Sequence, residues 1–130
     1  MQVMPATAEA LGITDVSNPE ESLKGGTTYL KQMYERFENV PDSLDRIKLA
    51  LAAFNCGYGH VTDAQRLAEA NGLNPLIWDA NVAPMLLDLR FRKNYSKPFI
   101  KYGYVRGTEP VNYIEQIFER YEQYIQFIDL

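Results

Sequence analysis

The stretch "LALAAFNCGYGHV", residues 49–61, limits the possible folds more than any other part of the chain. Leu44, Ile47, Ala50, Leu51 and Phe54 recur at helical spacing, and from Leu49 to Phe54 every residue is apolar. A helix apolar on all sides has no face to give to water. It is therefore predicted to be the buried centre of a helical domain. The run then ends in Asn55, Cys56, Gly57 and Gly59. On one reading Asn55 closes the helix and the glycines permit a turn. On the other, the Asn55 amide, with its acceptor and two donors, holds a polar ligand in fixed orientation, and the glycines let that ligand approach the backbone. Spacing alone leaves both open. A phosphate-cradling loop fits poorly, because these glycines follow a helix where phosphate loops follow a strand.

The surrounding chain also reads as helical. "NPEESLKGGTTYLKQMYERF" places Asn18 as N-cap, Pro19 in the first turn and Glu21 to close a capping box, with Leu23, Leu30, Met33, Tyr34 and Phe37 on one face. "VPD" at 40–42 ends that helix. A helix from about His60 to Ala70 carries Val61, Ala64, Leu67 and Ala68 and stops at Asn71 and Gly72. A last helix is capped by Thr108, has Pro110 in its first turn, and repeats Ile114, Ile117, Phe118, Tyr121, Ile125 and Ile128. Residues 72–107, with Pro75, Pro84, Pro98, Gly103 and Gly107, read as short helical turns joined by extended segments. The class is all-α, and at 130 residues with 46% hydrophobic content a single domain spanning 1–130 is expected.

Charge and cysteine content narrow the function. A net charge of -4 argues against whole-protein attraction to nucleic acid or an anionic membrane. The single cysteine, Cys56, makes neither an internal disulfide nor a multi-cysteine metal site and reads as a small buried side chain. No metal or cofactor is expected. Residues 90–106, "RFRKNYSKPFIKYGYVR", interleave Arg90, Arg92, Lys93, Lys97, Lys101 and Arg106 with Phe91, Tyr95, Phe99, Tyr102 and Tyr104 and contain no acid. Such a segment serves a single-stranded nucleic acid, a carbohydrate cleft, or a solvated basic face with core aromatics beneath. The last is the expectation for most of these residues, and the acidic balance disfavours nucleic acid.

Four blocks in order, "MQVMPATAEALGI", "NPEESLKGGTTYLKQM", "ALAAFNCGYGHVTDAQ" and "KYGYVRGTEPVNYIEQI", resemble the lysozyme-like domain of lytic murein transglycosylases, most closely its membrane-bound members. The resemblance covers nearly the whole chain. It implies a lysozyme-like helical fold, peptidoglycan strands as partner, a periplasmic or outer-membrane location, and membrane contact only through regions outside this chain. It implies cleavage of the β-1,4 bond between N-acetylmuramic acid and N-acetylglucosamine. One glutamate protonates the glycosidic oxygen and then helps the muramoyl 6-hydroxyl close a 1,6-anhydro ring.

Residue by residue, the family's Gly-Leu-Met-Gln motif is represented by Met1 and Gln2, and its Ala-Tyr-Asn motif by Ala53, Phe54 and Asn55, with Phe where Tyr is common. Tyr113 falls on the cleft tyrosine of the last helix. The substrate-binding candidates are therefore Gln2, Asn55 and Tyr113, joined by Met1, Phe54 and Gly57. No catalytic residue is assigned, because the family glutamate belongs upstream of Met1. Glu109, Glu20 and Glu21 lie at helix N-termini that favour the ionised form, and Glu9 and Glu115 belong to exposed helix faces. The alternative is a glycan-binding module without catalysis. The expected outcome is that the 130-residue chain alone releases no anhydro-muropeptides from peptidoglycan. Chromatography of the soluble products checks this, and release above a buffer control would place the proton donor inside the chain.

Overall fold

Helix α2, Ser43–Cys56, is the element on which the others are assembled. In the computed structural model, which describes the backbone over residues 19–128 and the side chains of 25–122, it packs against helix α1 (Pro19–Arg36), α3 (Tyr58–Ala70) and α6 (Thr108–Ile128). It also touches a kinked turn over Trp78–Val82, which is followed by two short helices, α4 (Ala83–Asp88) and α5 (Arg92–Tyr95). Among the described residues there is no strand. The all-α expectation holds, with α3 starting at Tyr58, two residues before the predicted His60.

The middle of α2 explains its position. Leu49, Ala50, Leu51, Ala52 and Ala53 are all buried, and the three alanines let neighbouring helices approach closely. Around them lie Met33 from α1 and Phe37 just after it, Val61, Ala64, Leu67 and Ala68 from α3, Trp78 and Val82 from the turn, Leu86 from α4 and Leu89 just after it, and Val111 and Ile114 from α6. Removing one large apolar side chain from water contributes about 1.5–3 kcal/mol, so this cluster dominates the favourable side of folding. Asp42 starts α2: its Oδ1 accepts from the Leu44 amide at 3.0 Å, satisfying one of the unpaired first-turn donors. Arg46 ties α2 to α1, its Nε donating to the Tyr34 carbonyl at 2.9 Å while the guanidinium lies 3.9 Å from the Tyr34 ring centroid.

Three side chains depart from the expected stripes. Leu44 is 51% exposed and Ile47 is 38% exposed, although Asp45 and Arg46 of the same turns are held by Trp78 and Tyr34. Tyr121, assigned to the apolar face of the last helix, is also exposed, its ring edge-on to Phe118 at 6.4 Å. The predicted cap Asn18 and the side chains of Glu21, Leu23, Ile125 and Ile128 lie outside the described residues.

The irregular region is fixed by side chains that accept its backbone amides. Asp45, buried in the first turn of α2, accepts from the Trp78 amide at 3.1 Å and holds the kinked turn to α2. Leu49→Ala is expected to cost roughly 2–5 kcal/mol by leaving a cavity, against about 0.5 kcal/mol or less for the exposed Leu44→Ala. Chemical denaturation of the two variants measures that difference.

Candidate functional site

Asn55 occupies the last turn of α2, one residue before its end, and its side chain is exposed although the helix interior is not. It does not cap the helix. The cap is Gly57, whose amide donates to the Ala53 carbonyl at 2.8 Å and whose φ of 107° suits only glycine. Of the two readings of this motif, the turn belongs to Gly57, and the Asn55 amide is left available at the surface. Phe54 is half-buried, its ring 5.7 Å from that of Tyr29 on α1. Tyr113, in the second turn of α6, is half-buried against the core, and α6 packs directly on α2. Met1 and Gln2 lie outside the described residues.

Gly59 serves a different end from the one its spacing suggested. A Cβ at this position would lie 2.7 Å from both Cδ2 and Cε2 of Tyr102 and 2.8 Å from its Cζ. The space is taken by the protein's own ring. His60 adds an edge contact to the same ring at 6.3 Å.

Asp63 holds the segment that carries Tyr102. Its carboxylate is fully buried and accepts from the Lys101 amide at 2.9 Å, the Tyr102 amide at 2.8 Å and Arg66 Nη1 at 2.7 Å. The expectation of core aromatics under a basic face holds for Tyr95, half-buried against the core, and is overturned for the other four. Phe91, Phe99, Tyr102 and Tyr104 are exposed together with Arg90, Arg92, Lys93, Lys101 and Arg106. The anchoring apolar residues are instead Ile100 and Val105, both buried, on either side of the exposed stretch whose Lys101 and Tyr102 amides Asp63 holds.

A cavity of about 480 Å³ lies between α2, the kinked turn, α4 and α6, floored by Trp78, Leu87, Ile114 and Phe118. Lys48 stands at its edge, bonded to Asp79 at 2.6 Å and 4.9 Å from the Phe118 ring centroid. Lys48 and Asn55 are seven residues apart, so they share a face of α2 at a separation of roughly 10 Å. Sequence reasoning missed this cavity, because only packing brings Lys48, Asp79 and Phe118 together.

Titratable groups within the site are few. Burial pushes the Cys56 thiol up to about 12, so it stays protonated and unreactive at neutral pH. Cys56 is half-buried, close to the expected small packed side chain. Burial also lowers the His60 pKa below 6.5, with the Asp63 charge opposing. Among the described residues no cluster of His, Cys, Asp and Glu is arranged to hold a metal, and no helix is long and apolar enough to cross a membrane.

The helices packed around α2 and the polar amide presented at its end give the class to which comparison assigns the chain. It belongs to the transglycosylase SLT domain family, whose pattern it matches over residues 1–77. It is similar to the protein named membrane-bound lytic murein transglycosylase F in several bacteria. The Vibrio parahaemolyticus protein is 41% identical over 125 residues, covering 96% of this chain and 23% of that protein. The Maricaulis maris protein is 46% identical over 124 residues, 92% of this chain and 25% of that protein, and the Shewanella halifaxensis protein 43% identical over 130 residues, 99% and 26%. The chain spans about a quarter of the length of these relatives.

Two measurements test this site. Asp63→Ala should expose the Lys101 and Tyr102 amides to hydrogen exchange and cost roughly 1–3 kcal/mol for each buried donor left without an acceptor. Unchanged protection of both amides would refute the anchoring role. For His60, the unfolded chain binds more protons than the folded one between the lowered folded value and 6.5. Its contribution to stability is therefore complete above 6.5 and declines as pH falls through that window. An NMR titration of the one histidine in the chain should give a midpoint below 6.5.

Proposed function

We propose that this chain is the glycan-binding part of a lytic transglycosylase acting on peptidoglycan in the periplasm or at the outer membrane. The bond broken is the β-1,4 link from N-acetylmuramic acid to N-acetylglucosamine, with formation of a 1,6-anhydromuramoyl end. The observation that carries this reading is the placement of Asn55. An exposed amide stands at the end of a helix whose middle, residues 49–53, is buried throughout, and the helix does not use it as a cap. A rigid support of this kind holds a carbonyl acceptor and two donors in fixed orientation, suited to the acetamido and hydroxyl groups of an aminosugar. Tyr113 on the adjoining α6 supplies a phenol, and Phe54 and Gly57 form the ground on which Asn55 stands. Gln2 and Met1 complete the proposed set from the chain's first residues.

The proton donor is proposed to lie outside the described residues. A carboxyl that protonates a glycosidic oxygen near neutral pH works best in apolar surroundings that raise its pKa. Every glutamate with a described side chain, Glu35, Glu38, Glu69, Glu109, Glu115, Glu119 and Glu122, is exposed. Among the described residues the two buried carboxylates, Asp45 and Asp63, are engaged by backbone amides. This pattern also supports the second reading, in which the chain binds glycan strands without cleaving them.

Asn55→Ala tests the proposal. Loss of one neutral hydrogen bond costs roughly 0.5–1.5 kcal/mol, so affinity for a muropeptide or chitooligosaccharide should fall several-fold to about tenfold. The melting temperature should barely move, because Asn55 holds no helix end. Tyr113→Phe should weaken binding to a similar extent. Unaltered affinity in both variants would remove the site.

A further inference from the structure

We propose that Tyr102 is a stacking platform for a pyranose ring of the bound glycan, an additional subsite beside Asn55. This rests on the glycan-binding function proposed above. The geometry of Gly59 defines how the ring lies. A Cβ placed there is nearly equidistant, at 2.7, 2.7 and 2.8 Å, from three consecutive ring atoms. An approach to the ring edge would bring one atom much closer than its neighbours, so Gly59 lies over the face of the ring. One face of Tyr102 is thus laid on backbone, its ring stands T-shaped to His60 at an interplanar angle of 69°, and the residue remains 59% exposed. With Gly59 on one face, a sugar would stack on the opposite one.

That face is held still. Asp63 fixes the Lys101 and Tyr102 amides, and buried Ile100 and Val105 anchor the chain on either side. Tyr104, 57% exposed, is propped edge-on against Tyr95 at 6.1 Å and 86°. Rigid exposed aromatic surface loses little conformational entropy on binding, and the axial C–H groups of a β-linked aminosugar present an apolar face to match it. Four residues of chain, from Asn55 to Gly59, span at most roughly 14 Å, so one oligosaccharide reaches both Asn55 and Tyr102. Lys101 and Arg106 flank the platform and face solvent, where the carboxylates of a stem peptide would meet them.

The test is a titration of the chain with chitotetraose, followed by NMR. Stacking on Tyr102 should move pyranose axial-proton resonances upfield through the ring current. Tyr102→Ala should weaken binding about five- to tenfold, and Tyr102→Phe, which keeps the ring, should bind within about twofold of wild type. Gly59→Ala, which displaces the ring from its support, should weaken binding as well. Undiminished affinity in Tyr102→Ala, with Asn55→Ala still impaired, would overturn the platform and leave the glycan-binding function intact. Failure of the wild-type chain to bind any saccharide would overturn both. Salt-sensitive binding of a single-stranded oligonucleotide, without saccharide binding, would instead assign the exposed aromatics to nucleic acid.

Discussion

The buried carboxylate of Asp63 decides where the less regular third of the chain goes. Residues 97–106 form neither helix nor strand, so their backbone amides have no ladder to join and must find acceptors elsewhere. Asp63 provides two such bonds from the middle of α3, and Arg66, one turn along, balances its charge. An ionised group taken out of water costs several kcal/mol unless it is fully paired, and here three donors converge on it. Asp45 does the same on a smaller scale for the turn that carries Trp78. In both cases a helix of the core lends an acceptor to a segment with no partner of its own.

This arrangement divides the domain into a packed base and a presented surface. The base is α2 with its alanines and the apolar residues that close around them. At one end of α2 the chain turns at Gly57, which leaves Asn55 outside, and two residues later Gly59 yields its space to Tyr102. The two glycines of one short motif therefore do different work: the first allows a backbone angle, the second an aromatic contact. Together they bring polar and aromatic groups to the junction of α2 and α3. That concentration at a rigid end is what a saccharide site requires, since sugars bind through oriented hydrogen bonds and apolar faces together.

Much of the fold was legible because helical periodicity is a local property. The stripes of α1, α3 and α6, the break at 40–42 and the buried centre of α2 all follow from which residues recur every three or four positions. Leu44 and Ile47 were misread because periodicity identifies a face and cannot tell which positions on it a neighbour covers: Asp45 and Arg46 of the same turns are held while these two are exposed. Four of the five aromatics between residues 90 and 106 were misread, while Tyr95 does pack against the core. Composition suggested that tyrosines and phenylalanines would turn inward, but Ile100 and Val105 are the buried residues, on either side of the exposed stretch that Asp63 holds.

The sequence by itself determined an all-α domain built on a helix with no polar face, and it marked Asn55 and Tyr113 through family resemblance. These are consequences of short-range order, in which each residue's neighbours lie within a turn or two. Only the tertiary structure decided that Asn55 is exposed and does not cap its helix, that Gly59 makes room for Tyr102, and that Asp63 reaches across thirty-eight residues to hold Lys101. Those outcomes depend on contacts between residues far apart in the chain, and their geometry exists only once α2, α3 and the segment after α5 have packed.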